Sequence, residues 1–236
     1  MKSMVLVAAA LLAGCGGGSG GGDDQSEALQ TAQLQGRWAT AAGAAPAYTA
    51  VVVPGASNTA SAWLLAQDAS RLVKLTVRGD ASAQGKAYAL GQGSSQAVTG
   101  QVTASLAAAP KTFSVTGAAA GTLALSQSDA LSTPAVQAEA AGGWSATAGG
   151  QAQALQWTVG ALGAVAGIST TGCSYAGQLT AMAGVGAYGV QFDESCPDGA
   201  RTVFGGIATL NASKTSLTVV GASTDESRGV AVFFSK

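Results

Sequence analysis

Short apolar alternation, broken roughly every eight to twelve residues by Gly, Asn, Asp or Ser, constrains this chain more than any other feature. Val73, Leu75 and Val77 alternate with Lys74, Thr76 and Arg78; Leu155, Trp157 and Val159 alternate with Gln156 and Thr158. Tyr188, Val190 and Phe192 alternate with Gly189 and Gln191, and Val230, Val232 and Phe234 with Ala231, Phe233 and Ser235. Period two puts the apolar side chains on one face of a strand, so the fold class is all-β, with antiparallel strands in a sandwich or barrel. About seven or eight strands per half are expected and little helix. Transmembrane strands need about 9–11 residues and aromatic girdles. The runs here are shorter and aromatics make up 6% of the chain, which favours soluble barrels over a membrane pore.

The strand pattern occurs twice. Gly36-Arg37-Trp38-Ala39-Thr40 is echoed by Gly143-Trp144-Ser145-Ala146-Thr147, and Gly85 to Leu90 by Val185 to Val190. Gly100 to Gly117 is echoed by Gly206 to Gly221, and each half closes on a short apolar strand, Gly121 to Leu125 and Gly229 to Phe234. Four echoes in one order predict two tandem related small antiparallel β-barrel or β-sandwich domains, residues 36–126 and 143–236. Residues 127–142, with Pro134, form the joint.

Charge narrows the function classes. Only 10% of residues are charged, against about 25% in an ordinary domain, and the net charge is −1. Such a chain lacks the large net charge of a disordered one and the clustered basic face that nucleic acid requires. The charge it has is divided unevenly. Arg37, Arg71, Lys74, Arg78, Lys86 and Lys111 lie in the first half, while Asp193, Glu194, Asp198, Asp225 and Glu226 lie in the second. The halves could dock on one another through that difference, although ordinary solvated loops are the favoured reading.

The first fifteen residues carry a different signal. Lys2 precedes an apolar run, Val5 to Leu12, which ends in Leu12-Ala13-Gly14-Cys15. The run is too short to span a bilayer, which takes about 20 apolar residues, and the glycines after it exclude a core helix. It resembles a bacterial lipoprotein signal peptide closing in a lipobox. The resemblance implies that residues 1–14 are removed, that the Cys15 thiol is lipidated, and that the new amino terminus is acylated. Three acyl chains would hold the protein on the membrane effectively for good. Residues 15–35 then form a Gly/Ser-rich tether. Lipoproteins with Asp after the cysteine tend to stay in the inner membrane, so Gly16 implies the cell outer membrane, at its periplasmic face or the cell surface. With Cys15 assigned to lipid, Cys173 and Cys196 remain, and outside the cytosol an even remainder predicts a disulfide worth roughly 3 kcal/mol. Two buried thiols are the alternative. Trp144, Trp157, the run Gly172 to Leu179 and Cys196 also resemble β-rich lipoproteins of Gram-negative bacteria, which implies fold and location only.

Chemistry is constrained by the absence of histidine, the commonest general base and metal ligand. Gly17-Gly18-Ser19-Gly20-Gly21 fits the letters of a nucleophile elbow, but lies in the tether instead of at a strand-to-helix turn. Asp193-Glu194-Ser195-Cys196-Pro197-Asp198-Gly199 is the densest acidic run; Pro-Asp-Gly is a turn signal, so a disulfide-pinned hairpin is favoured over a calcium site. Trp38 with Trp144, and Tyr88 with Tyr188, read as paired core anchors. Trp63, beside Leu64-Leu65, could face a partner or a pocket. Asn211-Ala212-Ser213 matches a glycosylation sequon that means little in a bacterial chain.

The expected function is therefore non-catalytic binding of a protein partner or ligand in the cell envelope, with the membrane engaged through the lipid anchor. A host protein is one such partner; nucleic acid is not, and no cofactor or metal is expected. The alternatives are a structural envelope or surface-assembly component and, less favoured, a hydrolase using paired carboxylates. A binder should show an apolar cavity or patch, an assembly component open strand edges, and an enzyme convergent carboxylates perturbed by burial.

Overall fold

The protein is described by a computed structural model covering residues 28–117, 121–148 and 153–236. Cys15, the lipobox and most of the tether lie outside the described residues.

Eight antiparallel strands close into a barrel in each half, every strand paired with its sequence neighbours and the last with the first. The first barrel runs β1 (Gly36–Thr40), β2 (Tyr48–Pro54), β3 (Thr59–Ala66), β4 (Arg71–Arg78), β5 (Ser82–Ala89), β6 (Ser94–Ser105), β7 (Thr112–Gly117) and β8 (Gly121–Asp129). The second runs β9 (Gly142–Ala148), β10 (Gln153–Val159), β11 (Ala164–Ser169), β12 (Ser174–Ala181), β13 (Tyr188–Ser195), β14 (Arg201–Leu210), β15 (Ser216–Ser223) and β16 (Gly229–Ser235). The only helical elements among the described residues are two 3-10 turns, Thr31–Leu34 and Gln137–Ala140, one before each barrel.

The inward side chains of the alternating runs fill both lumens. Each barrel is closed at one end in the same way. A 3-10 turn is followed by a glycine of positive φ, Gly36 or Gly142, and two residues later a fully buried tryptophan. The Trp38 indole N–H donates to the Leu34 carbonyl at 2.9 Å, and that of Trp144 to the Ala140 carbonyl at 2.8 Å. Both rings bury a large apolar area with their one polar atom satisfied.

Three of the four sequence echoes coincide in three dimensions. Gly100 faces Gly117 across β6 and β7, as Gly206 faces Gly221 across β14 and β15. A Cβ on Gly100 or Gly206 would run into the carbonyl oxygen of Thr116 or Val220, so these strands approach more closely than any side chain allows. The echo of Gly85–Leu90 in Val185–Val190 does not coincide. Tyr88 lies near the end of β5 and faces outward, whereas Tyr188 opens β13 and faces inward. The core-anchor expectation therefore holds for Tyr188 and is corrected for Tyr88; Gly and Ala around each tyrosine imitate a match that register does not support.

Two strands depart from alternation, and they explain how the barrels meet. β3 is buried on both faces from Ala62 to Ala66, and β15 from Val219 to Ser223. Their outward residues Trp63, Leu65, Val220 and Ala222 join Tyr88 and Ile207 in one apolar cluster between the barrels. A strand covered on both sides reads as a continuous apolar run. At the edge of this seam Glu226 sits 3.0 Å from Lys74 Nζ and 3.7 Å from Lys86 Nζ. The Lys74 ammonium also lies over the Trp63 ring. Two basic residues of the first half thus meet an acid of the second.

The hydrogen bond from Lys74, with the two lysine charges, holds the Glu226 carboxyl below the usual glutamate range. A depressed folded-state pKa stabilises the protein above the ordinary glutamate pKa, and this is lost as pH falls through the folded value. Because the side chain is 42% exposed, the effect is screened. Glu226→Gln is expected to lower neutral-pH stability by about 1 kcal/mol or less in urea titrations. That difference from the wild type should shrink as pH falls below about 4.

Candidate ligand site at the mouth of the second barrel

The two lumens are packed differently. The first is filled largely by Ala, Val and Leu, and the second by Trp144, Trp157, Tyr175, Phe192, Phe204 and Phe234 among its aromatics. Register assembles these rings. Trp157 on β10 stands opposite Gly167 on β11, Gly167 opposite Tyr175 on β12, and Tyr175 opposite Glu194 on β13. Gly167 leaves its lumen position empty, and the Trp157 indole folds across it: a Cβ there would strike Trp157 Cδ1 and lie 3.0 Å from Nε1. Ring centroids are 4.7 Å apart for Trp157–Phe234, 5.0 Å for Trp157–Phe192 and 5.1 Å for Phe192–Phe204, the last pair stacked.

Trp157, Tyr175, Phe192 and Phe204 line a cleft of 630 Å³, and the Asp68–Ala69 and Leu90–Gly91 turns of the first barrel form part of its rim. The size falls within the roughly 300–1,000 Å³ of small-molecule sites.

Polar groups are few and specific. Tyr175 Oη donates to Glu194 Oε1 at 3.1 Å, and Arg228 Nη2 donates to Glu194 Oε2 at 3.2 Å. The Arg228 guanidinium also donates to Thr202 Oγ1 and lies over the Phe204 ring. Burial, aided by the Glu194 charge, pushes the Tyr175 phenol up to about 12, so it stays a neutral donor. At depth, Trp157 is 2% exposed and its Nε1 has no acceptor. Such orphan donors are rare in folded proteins, and this one lines a cleft.

The acidic run on β13 folds as a hairpin. Cys173 and Cys196 Sγ atoms lie 1.97 Å apart, at disulfide distance, beside the Pro197-Asp198-Gly199 turn. The carboxylates diverge: Asp193 pairs with Arg201, Glu194 turns to Tyr175 and Arg228, and Asp198 caps the turn at the Ala200 N–H. Ligand atoms of Cys173, Glu194 and Cys196 fall within 4.8 Å of one another, but sulfurs joined to each other are not thiolate donors. The acids with perturbed pKa are all shifted down. Serine N–H and O–H groups in turns hold Asp68, Asp80 and Asp225 low, Asp225 at about 2. Asn211 is likewise a turn builder, its Oδ1 accepting from the Thr215 and Ser216 N–H groups.

Trp63, singled out in the sequence, faces the other barrel, and Trp38 and Trp144 are core anchors. The convergence of Trp157, Tyr175, Phe192 and Phe204 was not foreseen, although the alternation of β10 and β13 places Trp157 and Phe192 on inward positions. No family model, curated protein or solved structure is similar enough to this chain to match it.

Gly167→Val would put a branched side chain where the Trp157 ring lies. Overpacking of this kind costs about 1–3 kcal/mol. The variant is expected to unfold at lower urea concentration and to show an altered near-UV tryptophan band, while Gly205→Ala, with nothing near its Cβ, leaves both unchanged.

Proposed function

We propose that this chain is an outer-membrane lipoprotein, anchored through Cys15, that binds a ligand without catalysis in the mouth of its second barrel. One observation carries the binding reading: Trp157, whose buried indole N–H has no acceptor, lines an aromatic cleft whose rim is polar. The ligand this favours is an apolar, ring-bearing molecule with an acceptor oxygen to meet Trp157 Nε1, because leaving that donor unmatched costs free energy that the right ligand recovers. The anchor rests on the lipobox resemblance, and the sulfur pair at Cys173 and Cys196 is compatible with a compartment outside the cytosol. Closure of both sheets disfavours the assembly alternative, which needs unpaired strand edges. The carboxylates of the acidic run diverge to separate partners instead of facing one another, which disfavours the hydrolase alternative.

The test has two arms. Cys15→Ser is expected to move the protein from the detergent phase to the aqueous phase in cloud-point extraction; an unchanged partition contradicts the anchor. In ¹⁵N spectra, acetophenone is expected to shift the Trp157 indole N–H resonance and leave that of Trp144, already bonded to Ala140, in place. A shift of neither, or of both equally, contradicts the site.

A further inference from the structure

Arg37 is a second unmatched donor, in a different place. Strand alternation aims Trp38 into the first lumen and Arg37 out of it, toward the second barrel. There the guanidinium makes no hydrogen bond or ion pair among the described residues, and its Nε is buried without an acceptor. Of the acids nearby, Asp129, its cross-strand neighbour on β8, accepts from the Leu131 N–H through Oδ1 and makes no ion pair with Arg37, and Glu139 pairs with Lys214 at 2.8 Å. An arginine whose Nε is buried normally finds a carboxylate or phosphate for its planar fork, because a donor that loses water must be repaid by an acceptor.

The groove in front of Arg37 describes the rest of the ligand. It encloses 140 Å³ between the barrels, walled by Trp63 and Leu65 on one side and Ile207 and Val220 on the other, with Phe233 49% exposed beside it. That volume is close to the roughly 150 Å³ of an apolar cavity that holds benzene. Thr49, Thr209 and Thr218 add hydroxyls along the wall. We infer that the seam between the two barrels is a binding site for a small monocarboxylate with a compact apolar body, its carboxylate on the Arg37 fork and its ring or branched chain between Trp63 and Val220. The site is separate from the Trp157 cleft, with which it shares Phe233 as a wall residue.

Occupancy would touch both barrels at once, so the ligand also reinforces their docking. An ammonium in place of the carboxylate would be repelled, and inorganic phosphate, lacking an apolar body, would leave the groove unfilled.

The test uses the full-length protein labelled with ¹⁵N and benzoate as probe. Benzoate is expected to shift one arginine Nε–H resonance, the one missing in Arg37→Gln, in a saturable one-to-one manner. Affinity should fall about tenfold or more in Arg37→Gln, the worth of a charge-assisted bidentate pair, and less in Arg37→Lys, which keeps the charge but not the fork. Because Arg37 has no internal partner, Arg37→Gln should melt at the same temperature as the wild type or higher. Equal benzoate affinity in Arg37→Gln, an unmoved Nε–H resonance, or phosphate binding as tightly as benzoate would each overturn the inference. So would a lowered melting temperature in Arg37→Gln, because it would reveal a structural partner for the guanidinium. The Trp157 indole resonance, followed in the same spectra, reports separately on the barrel mouth.

Discussion

Contact between the outward faces of β3 and β15 is the constraint on which the rest depends. A closed barrel of eight strands is self-sufficient: its apolar face lines the lumen and its outer face can stay wet. Here each barrel carries a second apolar stripe on the outside, and Trp63, Tyr88, Ile207 and Val220 bury those stripes against each other. Lys74 and Lys86 around Glu226 add direction at the edge of the contact instead of much energy, since all three side chains keep substantial exposure. Both candidate sites follow from this docking. The Arg37 groove is walled by both barrels, and the rim of the aromatic cleft borrows turns from the first barrel.

Three buried polar side-chain atoms lack a partner among the described residues: Arg37 Nε, Tyr88 Oη and Trp157 Nε1. Their placement is not scattered. Arg37 and Tyr88 lie at the seam and Trp157 in the barrel mouth, while the equally buried indoles of Trp38 and Trp144 are satisfied. A sequence that meets its polar requirements elsewhere and leaves them open at two cavities concentrates its local inconsistency where function is expected. Tyr88 differs from the other two in being pressed against Gly229, a position any Cβ would obstruct, and burial with the charges of Glu226 and Asp225 pushes its phenol up to about 12. Its orphan hydroxyl is part of the docking contact.

Much of the architecture was legible because it follows from side-chain period. Alternation around Val73, Leu75 and Val77 and around Val230, Val232 and Phe234 names the lumen faces directly, and the Trp38 and Trp144 echo marks equivalent plugs. The tyrosine echo misled because Gly and Ala are so common here that local letters match without shared register. The seam had a sequence signal that period-two reading passes over: Trp63-Leu64-Leu65-Ala66 and Val219-Val220-Gly221-Ala222 are continuous apolar runs, the mark of strands covered on both faces. The cleft was not legible at all. It needs Gly167 opposite both Trp157 and Tyr175, a cross-strand relation among three strands that no linear pattern displays. Arg37 reads in sequence as an ordinary strand charge, and only the second barrel's approach places its guanidinium at the seam with a buried, unpaired Nε.

If the apolar seam makes the two barrels one rigid body, residual dipolar couplings from β1–β8 and from β9–β16 should fit a single alignment tensor, with the same magnitude and orientation in two alignment media. Two tensors of different magnitude, the signature of barrels reorienting independently on their joint, would contradict the docking and remove the physical basis of the shared groove.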